Sequence, residues 1–114
     1  MTPASLEIRA YHAHVYFDAD SLNQATELCE QARDHLGVAM GRIHQKRVGP
    51  HPEWSCQLSF SAEQIGDVLP WLILNRDGLT IFIHPVTGND LDDHTKYIMW
   101  LGDSQPLDTT LFLS

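Results

Sequence analysis

The stretch Glu53-Trp-Ser-Cys-Gln-Leu-Ser-Phe60 alternates polar and apolar side chains without a break. Successive side chains of a β-strand point to opposite faces of the sheet, so this pattern predicts a strand with one buried face. Directly after it, Ser61 and Gln64 have the spacing of a capping box, and an apolar stripe at helical spacing continues to Asn75. Pro70 lies inside this stripe and predicts a kink or a break in the helix.

Further strands and helices are predicted before and after this strand–helix pair. Ser21 and Gln24 have capping-box spacing at the start of an upstream helix, which Gly37 is expected to end. One further short helix is expected near residues 92–99. The remaining strands are predicted from β-favouring residues and turn signals at residues 8–18, 38–48 and 79–84. The order β-α-β-β-α-β predicts an α+β fold, a ferredoxin-like sandwich with a four-stranded antiparallel sheet and a C-terminal extension.

Length, charge and composition bound the classes of function. The chain has 114 residues, and we expect one domain over residues 1–114. It carries 7 Lys and Arg against 15 Asp and Glu, a net charge of −8, which argues against nucleic acid or an anionic membrane as a partner. No apolar run is long enough to span a membrane and the N-terminus lacks a signal-peptide pattern, so we expect a cytoplasmic protein. The 7 histidines equal all Lys and Arg in number, which indicates metal or acid–base chemistry.

The predicted strands place several histidines on one face of the sheet. Two helices cover only one face of a four-stranded sheet, and the apolar residues Ala13, Val15 and Phe17 are expected on that covered face. Alternation then assigns their neighbours to the opposite, open face. By the same rule, the open face carries His12, His14, Tyr16, Arg42, His44, Phe82 and His84.

His12 and His14 form a His-x-His pair with suitable geometry for a metal ion. Two such residues are about 6.6 Å apart at Cα and their imidazoles point the same way, so both nitrogens can approach one ion. The first and fourth strands are neighbours in a ferredoxin-like sheet, and His84 could therefore supply a third ligand. The alternative is that these histidines are merely solvated or hydrogen-bonded on a polar face.

Further candidates lie in loops and on the open face. His51 is held between two prolines and His94 follows two aspartates, so each is either an acid–base group or an ordinary surface residue. Arg42 could bind a substrate carboxylate or protect a sheet edge, and Tyr16 and Phe82 could line an apolar pocket. The chain has no glycine-rich phosphate loop, no His-Glu-x-x-His and no nucleophile elbow, which excludes nucleotide-binding, zinc-protease and serine-hydrolase functions.

A set of motifs between Tyr11 and Gly102 resembles the DOPA 4,5-dioxygenase family. The motifs are Tyr11-His-Ala-His-Val-Tyr-Phe-Asp18, Gly41-Arg-Ile-His44, Val48-Gly-Pro-His-Pro52 with Trp54, Asn75-Arg76, His84-Pro-x-Thr-Gly88 and Asp93-His94. The resemblance implies a ferredoxin-like homodimer that uses non-haem Fe(II) and O₂. Its implied substrate is a small aromatic diol, DOPA or a related catechol, whose ring it would cleave in extradiol fashion.

The assignment of residues to the open face and the matched motifs together predict roles for individual residues. We expect the iron ligands to be His12, His14 and His84, the acid–base residues to be His44, His51 and His94, and the substrate-binding residues to be Arg42, Tyr16 and Phe82. Non-haem iron sites commonly have two histidines and one carboxylate. It therefore stays open whether Asp18 or Glu53 replaces His84 as a ligand.

Two other functions are compatible with the same residues. The first is a non-enzymatic, dimeric ferredoxin-like module that binds a metal or a small phenolic ligand. The second is a cofactor-independent monooxygenase, in which histidines act as bases and no metal binds. Consumption of a catechol in the presence and absence of a chelator would distinguish these functions.

Overall fold

The computed structural model describes residues 7–113, which form an α+β fold. One antiparallel sheet of five strands and three helices are present in this region. In chain order the elements are β1 (Ala10–Phe17), α1 (Leu22–Leu36), β2 (Ala39–Met40), β3 (Trp54–Ser61), α2 (Ile65–Asn75), β4 (Ile81–Pro85), α3 (Asp90–Asp93) and β5 (Met99–Leu101), with 3₁₀ turns at Ala62–Gln64 and Thr110–Phe112. The strand order across the sheet is β2-β3-β1-β4-β5. Its first four positions are compatible with the predicted ferredoxin-like arrangement.

Strand β1 lies at the centre of the sheet, between β3 and β4. Its residues Ala13, Val15 and Phe17 are buried together with buried residues of α1 and α2, so the predicted core face is confirmed. Neighbouring strands contribute to this core every second residue, namely Cys56, Leu58, Phe60, Ile81 and Ile83. The apolar side of the sheet is therefore the side that the two long helices cover.

The prediction of four strands is wrong, because β5 adds a fifth at the edge of the sheet. Strand β5 pairs with Ile81–Ile83 of β4. A segment of three residues is too short to show a period-two pattern in the sequence. The short helix lies at Asp90–Asp93 rather than near residues 92–99, because the side chain of Asn89 caps it by accepting the N–H of Asp92 at 3.0 Å.

The predicted strand over residues 38–48 is also wrong for most of its length. Only β2 joins the sheet, and Gly41 then donates its N–H to the carbonyl of Gln57 at 2.8 Å. Beyond Gly41, only His44 rejoins β3, through an isolated bridge to Ser55. The charged and polar residues 45–47 are exposed. Because residues 45–47 have no buried side chains that would fix their register, this segment does not continue the hydrogen-bonded pairing with β3.

The start of α1 differs from the predicted capping box, whereas its end agrees with the prediction. The hydroxyl of Ser21 donates to Asp18, and the amide of Gln24 donates to the carbonyl of Asp77 at 2.8 Å, so neither side chain caps the helix. Both side chains are satisfied by other partners. Gly37 ends the helix in the left-handed conformation with φ 73°, as glycine favours.

The second helix begins at the predicted signal and passes through its proline without a break. Ser61 and Gln64 form the predicted capping box, which opens the 3₁₀ turn leading into α2. Pro70 removes the hydrogen-bond donor for the carbonyl of Gly66, but Gly66 is exposed and water can replace that donor. The predicted break is therefore wrong.

None of the helices within residues 7–113 has the length and apolar character needed to cross a bilayer.

The face of the sheet opposite the helices is covered by loops rather than open. Side chains from the loop at His51, from α3 and from the last 3₁₀ turn lie over it, and Trp100 packs on Phe82 with ring centroids 4.7 Å apart. The buried residues on this face are His14, Tyr16, Ser55, Phe82 and His84. This face is therefore the floor of a partly covered, histidine-rich site.

Candidate metal centre

Three histidines from two adjacent strands converge at this site. His12 and His14 lie two residues apart on β1, and His84 of β4 is paired directly opposite His12. One ligand nitrogen from each ring lies within 4.8 Å of the others, and the Nε2 atoms of His14 and His84 are 3.1 Å apart. The strand geometry predicted from the His-x-His spacing therefore yields a group that can hold a metal ion.

A backbone contact fixes the orientation of His84. Its Nδ1 donates to the carbonyl oxygen of Pro85 at 2.7 Å, so the neutral ring keeps its lone pair on Nε2. Such a hydrogen bond from the far side of the ring is the usual support of a metal-binding imidazole. The same Nε2 faces His14, which makes it available to the cluster.

Burial keeps the imidazoles of the cluster neutral. It is the main cause that lowers the pKa of His84 to about 4 and the pKa of His14 well below its ordinary value of 6.5. The pKa of His12 is also lowered, first by burial and then by the neighbouring His94. Because a metal ion competes with protons for imidazole nitrogen, rings that are neutral at neutral pH are ready to bind one.

His51 approaches the cluster from the loop before β3. Its ring lies 4.1 Å from that of His14, and its Nδ1 is 2.7 Å from the hydroxyl of Tyr16. Burial lowers the pKa of His51 to about 4 and raises the pKa of Tyr16 above its ordinary range. The protonated phenol can donate to Nδ1, and the neutral His51 ring then carries its proton on Nε2.

His94 approaches the cluster from the other side, at the end of α3. Its Nδ1 donates to the carbonyl of Asp90 at 2.7 Å, which fixes a proton on that nitrogen. The ring lies 4.2 Å from that of His84 and 4.4 Å from that of Phe112. His51 and His94 thus flank the three-histidine cluster in different hydrogen-bonded states.

One cavity of about 240 Å³ joins these groups. It is smaller than a drug-sized pocket of about 300–1,000 Å³, so it suits a small ligand. Its lining includes Gln57, Asp93 and Phe112 in addition to all five histidines of the site, His12, His14, His51, His84 and His94. Asp93 is a buried residue of the site that sequence reasoning missed, because its burial depends on how the tail covers the sheet. The sequence signals for it were its place beside His94 and the family motif Asp93-His94.

Several residues predicted for the site lie outside this cavity. Arg42 is exposed in the loop after β2, and His44 pairs with Ser55 on the β2 side of β3. Asp18 and Glu53, the two candidate carboxylate ligands, line a different cavity of about 340 Å³. Neither carboxylate belongs to the group of ligand atoms that converge.

The two predicted aromatic residues support the histidines from beneath. Phe82 is fully buried, with its ring 5.9 Å from His14 and 5.5 Å from His84. Tyr16 is buried below His51. Both residues therefore contact the site histidines rather than line the cavity itself.

Fold and site together define an α+β protein with a histidine cluster, suited to a metal ion, in a small cavity. Comparison with known proteins narrows this class. The sequence profile of the Dopa 4,5-dioxygenase family matches residues 11–111. The chain belongs to this family, which confirms the resemblance seen in its motifs.

Individual relatives agree with this membership. A crystal structure from Nostoc punctiforme, described as a candidate dioxygenase, is 41% identical with a TM-score of 0.83, covering 98% of this chain and 96% of that one. A DOPA 4,5-dioxygenase of Amanita muscaria is 31% identical over 89% of this chain and 48% of its own length. An uncharacterized 21.2 kDa protein of Botryotinia fuckeliana is 34% identical over 90% of this chain and 62% of its own length. The chain thus spans about half to three-fifths of these two curated relatives.

Proposed function

We propose that the protein is a non-haem Fe(II)-dependent extradiol dioxygenase that cleaves DOPA or a related catechol with O₂. The observation that carries this proposal is the convergence of His12, His14 and His84 in a cavity of a chain from a dioxygenase family. Family membership supports an oxygenase role with a small-molecule substrate. The proposal includes one ferredoxin-like domain over residues 1–114, a homodimer and a cytoplasmic location, which stay predictions.

The residues present fit a metal ion. His12, His14 and His84 offer three convergent nitrogens, and imidazole is a good donor to iron as it is to zinc, copper and nickel. Asp18 and Glu53 line another cavity, which supports a ligand set of three histidines. When bound, Fe(II) would supply the redox chemistry that allows a catechol to react with O₂.

His51 and His94 are suited to opposite proton-transfer roles. The Asp90 carbonyl holds the proton of His94 on Nδ1, so its Nε2 can accept a proton from a catechol hydroxyl. The hydroxyl of Tyr16 satisfies Nδ1 of His51, so its Nε2 can donate a proton to developing negative charge. Phe112 offers an apolar surface for the substrate ring. We assign no step to Arg42 or His44, because they lie outside the cavity.

Reconstitution with iron tests this proposal. Metal-free protein is loaded anaerobically with Fe(II), mixed with DOPA and then exposed to air, and the yellow ring-opened product is followed by its absorbance. We expect product from the wild type and none from His12→Ala or His14→Ala. The matched control is His35→Ala, which changes an exposed histidine on α1 and should leave product formation intact.

Two results would contradict the proposal in different ways. Equal product formation in a strong chelator would exclude the metal and favour the cofactor-independent monooxygenase. Binding of Fe(II) without any consumption of catechols would favour the non-enzymatic binding module.

A further inference from the structure

Asp93 is the one buried carboxylate residue within residues 7–113, with 1% of its surface exposed. It lies in α3 and lines the same cavity as the histidine cluster. A buried charge is costly unless hydrogen bonds and an opposite charge compensate it. The environment of Asp93 therefore indicates the charge of the ligand that this cavity favours.

Both oxygens of Asp93 are engaged by Thr87. The backbone N–H of Thr87 donates to Oδ2 at 2.9 Å, and its hydroxyl donates to Oδ1 at 2.5 Å. This agrees with the absence of Asp93 from the converging ligand atoms of the described residues. The two bonds also tie α3 to the chain just after β4. They thereby hold the next residue, His94, against His84.

No cationic side chain in the described region compensates the charge of Asp93. Arg33 pairs with Glu30 and Asp34, and Lys96 pairs with Asp92 rather than with Asp93. Asp93 instead lines the same cavity as His12, His14 and His84, and its carboxylate is buried there. A positive charge held by these imidazoles would therefore be attracted to Asp93.

We propose that Asp93 is a positioning residue that compensates the charge of a divalent cation at His12, His14 and His84 without ligating it. The inference rests on the metal site of the proposed function. Three neutral imidazoles leave the full charge of the cation in a buried site, whereas one nearby carboxylate offsets part of it. Hydrogen-bonded partners of metal ligands change metal affinity by about 10- to 100-fold, and we expect an effect of the same order from this buried carboxylate.

Metal binding by Asp93→Asn tests this role. Co(II) is titrated into metal-free protein and its affinity is measured by calorimetry, and we expect a loss of about 10- to 100-fold in the variant. The matched control is Asp92→Asn, because Asp92 precedes Asp93 in α3, pairs with Lys96 at 3.5 Å and lines another cavity. Its Co(II) affinity should be unchanged.

Stability of the metal-free protein separates this role from a merely structural one. Removal of an uncompensated buried charge should leave the free energy of unfolding of Asp93→Asn unchanged or raised. If Asp93→Asn does not fold, Thr87→Val replaces it, since this variant keeps the charge and removes one hydrogen bond. We then expect Co(II) affinity to be retained, and a loss of about tenfold or more would overturn the proposal.

The outcomes also distinguish this inference from the proposed function. Wild-type protein that binds no Co(II) contradicts the metal site and both proposals with it. Wild-type protein that binds Co(II) while Asp93→Asn binds it equally well contradicts only the role of Asp93.

Discussion

At the scale of single residues, one hydrogen bond joins two buried polar groups, Tyr16 and His51. The phenol has the Nδ1 of His51 as its partner at 2.7 Å. Burial raises the pKa of Tyr16 and the carboxylate of Glu53 raises it further, so the phenol stays protonated at neutral pH. Loss of either partner would leave a buried polar atom unsatisfied.

We therefore expect Tyr16→Phe to lower the free energy of unfolding by about 1–3 kcal/mol, because it orphans the Nδ1 of His51. Urea unfolding of the metal-free protein measures this change. The control Tyr97→Phe alters a side chain that is 51% exposed and should have no effect. Equal stability of the two variants would mean that the buried bond contributes nothing.

At the scale of elements, substitution by alanine should change the free energy of unfolding in opposite directions at two glycines. Gly37 ends α1 with φ 73°, a conformation that a side chain disfavours. Gly66 lies inside α2, where an added Cβ meets nothing within 4 Å. Alanine is a better helix former than glycine there.

Gly37→Ala should accordingly lower the free energy of unfolding by about 1 kcal/mol, whereas Gly66→Ala should raise it by about 0.5–1 kcal/mol. Each variant serves as the control for the other in thermal or urea unfolding. Shifts of the same sign would show that local crowding, not backbone conformation, determines the response at one of the two sites.

Elements could be predicted from the sequence wherever a buried face imposes a period. The alternation around Cys56 and the stripe of α2 are of this kind, and both are confirmed. Short or polar segments carry no such period, which is why β5 was missed and the segment after Gly41 was assigned to a strand. The capping pair Ser21 and Gln24 failed for another reason, since Asp18 and Asp77 satisfy these side chains instead.

The site could be predicted from the sequence as far as the sheet determines it. Alternation alone brought His12, His14 and His84 to one face. His51 and His94 could be proposed only from their sequence neighbours and from family motifs, because loops carry no periodicity that would place them. Asp93 was missed because its burial depends on contacts between the tail and the sheet, which local patterns do not encode.

At the scale of the whole molecule, the sheet separates an apolar core from a side rich in buried imidazoles. Burial lowers the pKa of His12, His14, His51 and His84 below 6.5. The unfolded chain therefore binds more protons than the folded protein between about pH 6.5 and pH 4. By linkage, the free energy of unfolding must fall as the pH falls through this range.

We expect the metal-free protein to lose on the order of 2 kcal/mol of stability between pH 7.5 and pH 5, allowing for solvent screening of the partly buried rings. Urea unfolding in the presence of a chelator measures this loss. The control is His35→Ala, which changes an exposed side chain of α1 away from the cluster and should retain the same pH dependence. A stability profile that is flat over this range would contradict the neutral, buried state of the cluster.

Strand β1 contributes alternate residues to the core and to the candidate metal site. Its odd-numbered residues Ala13 and Val15 belong to the core, while the even-numbered His12 and His14 belong to the site. Substitutions at even positions can thus alter the chemistry while the core stays intact. A single-residue insertion before Ala13 would exchange the two sets and damage both at once. The side chains that β1 presents to the site can therefore change by point substitution, whereas an insertion or deletion in β1 would disrupt both the site and the core.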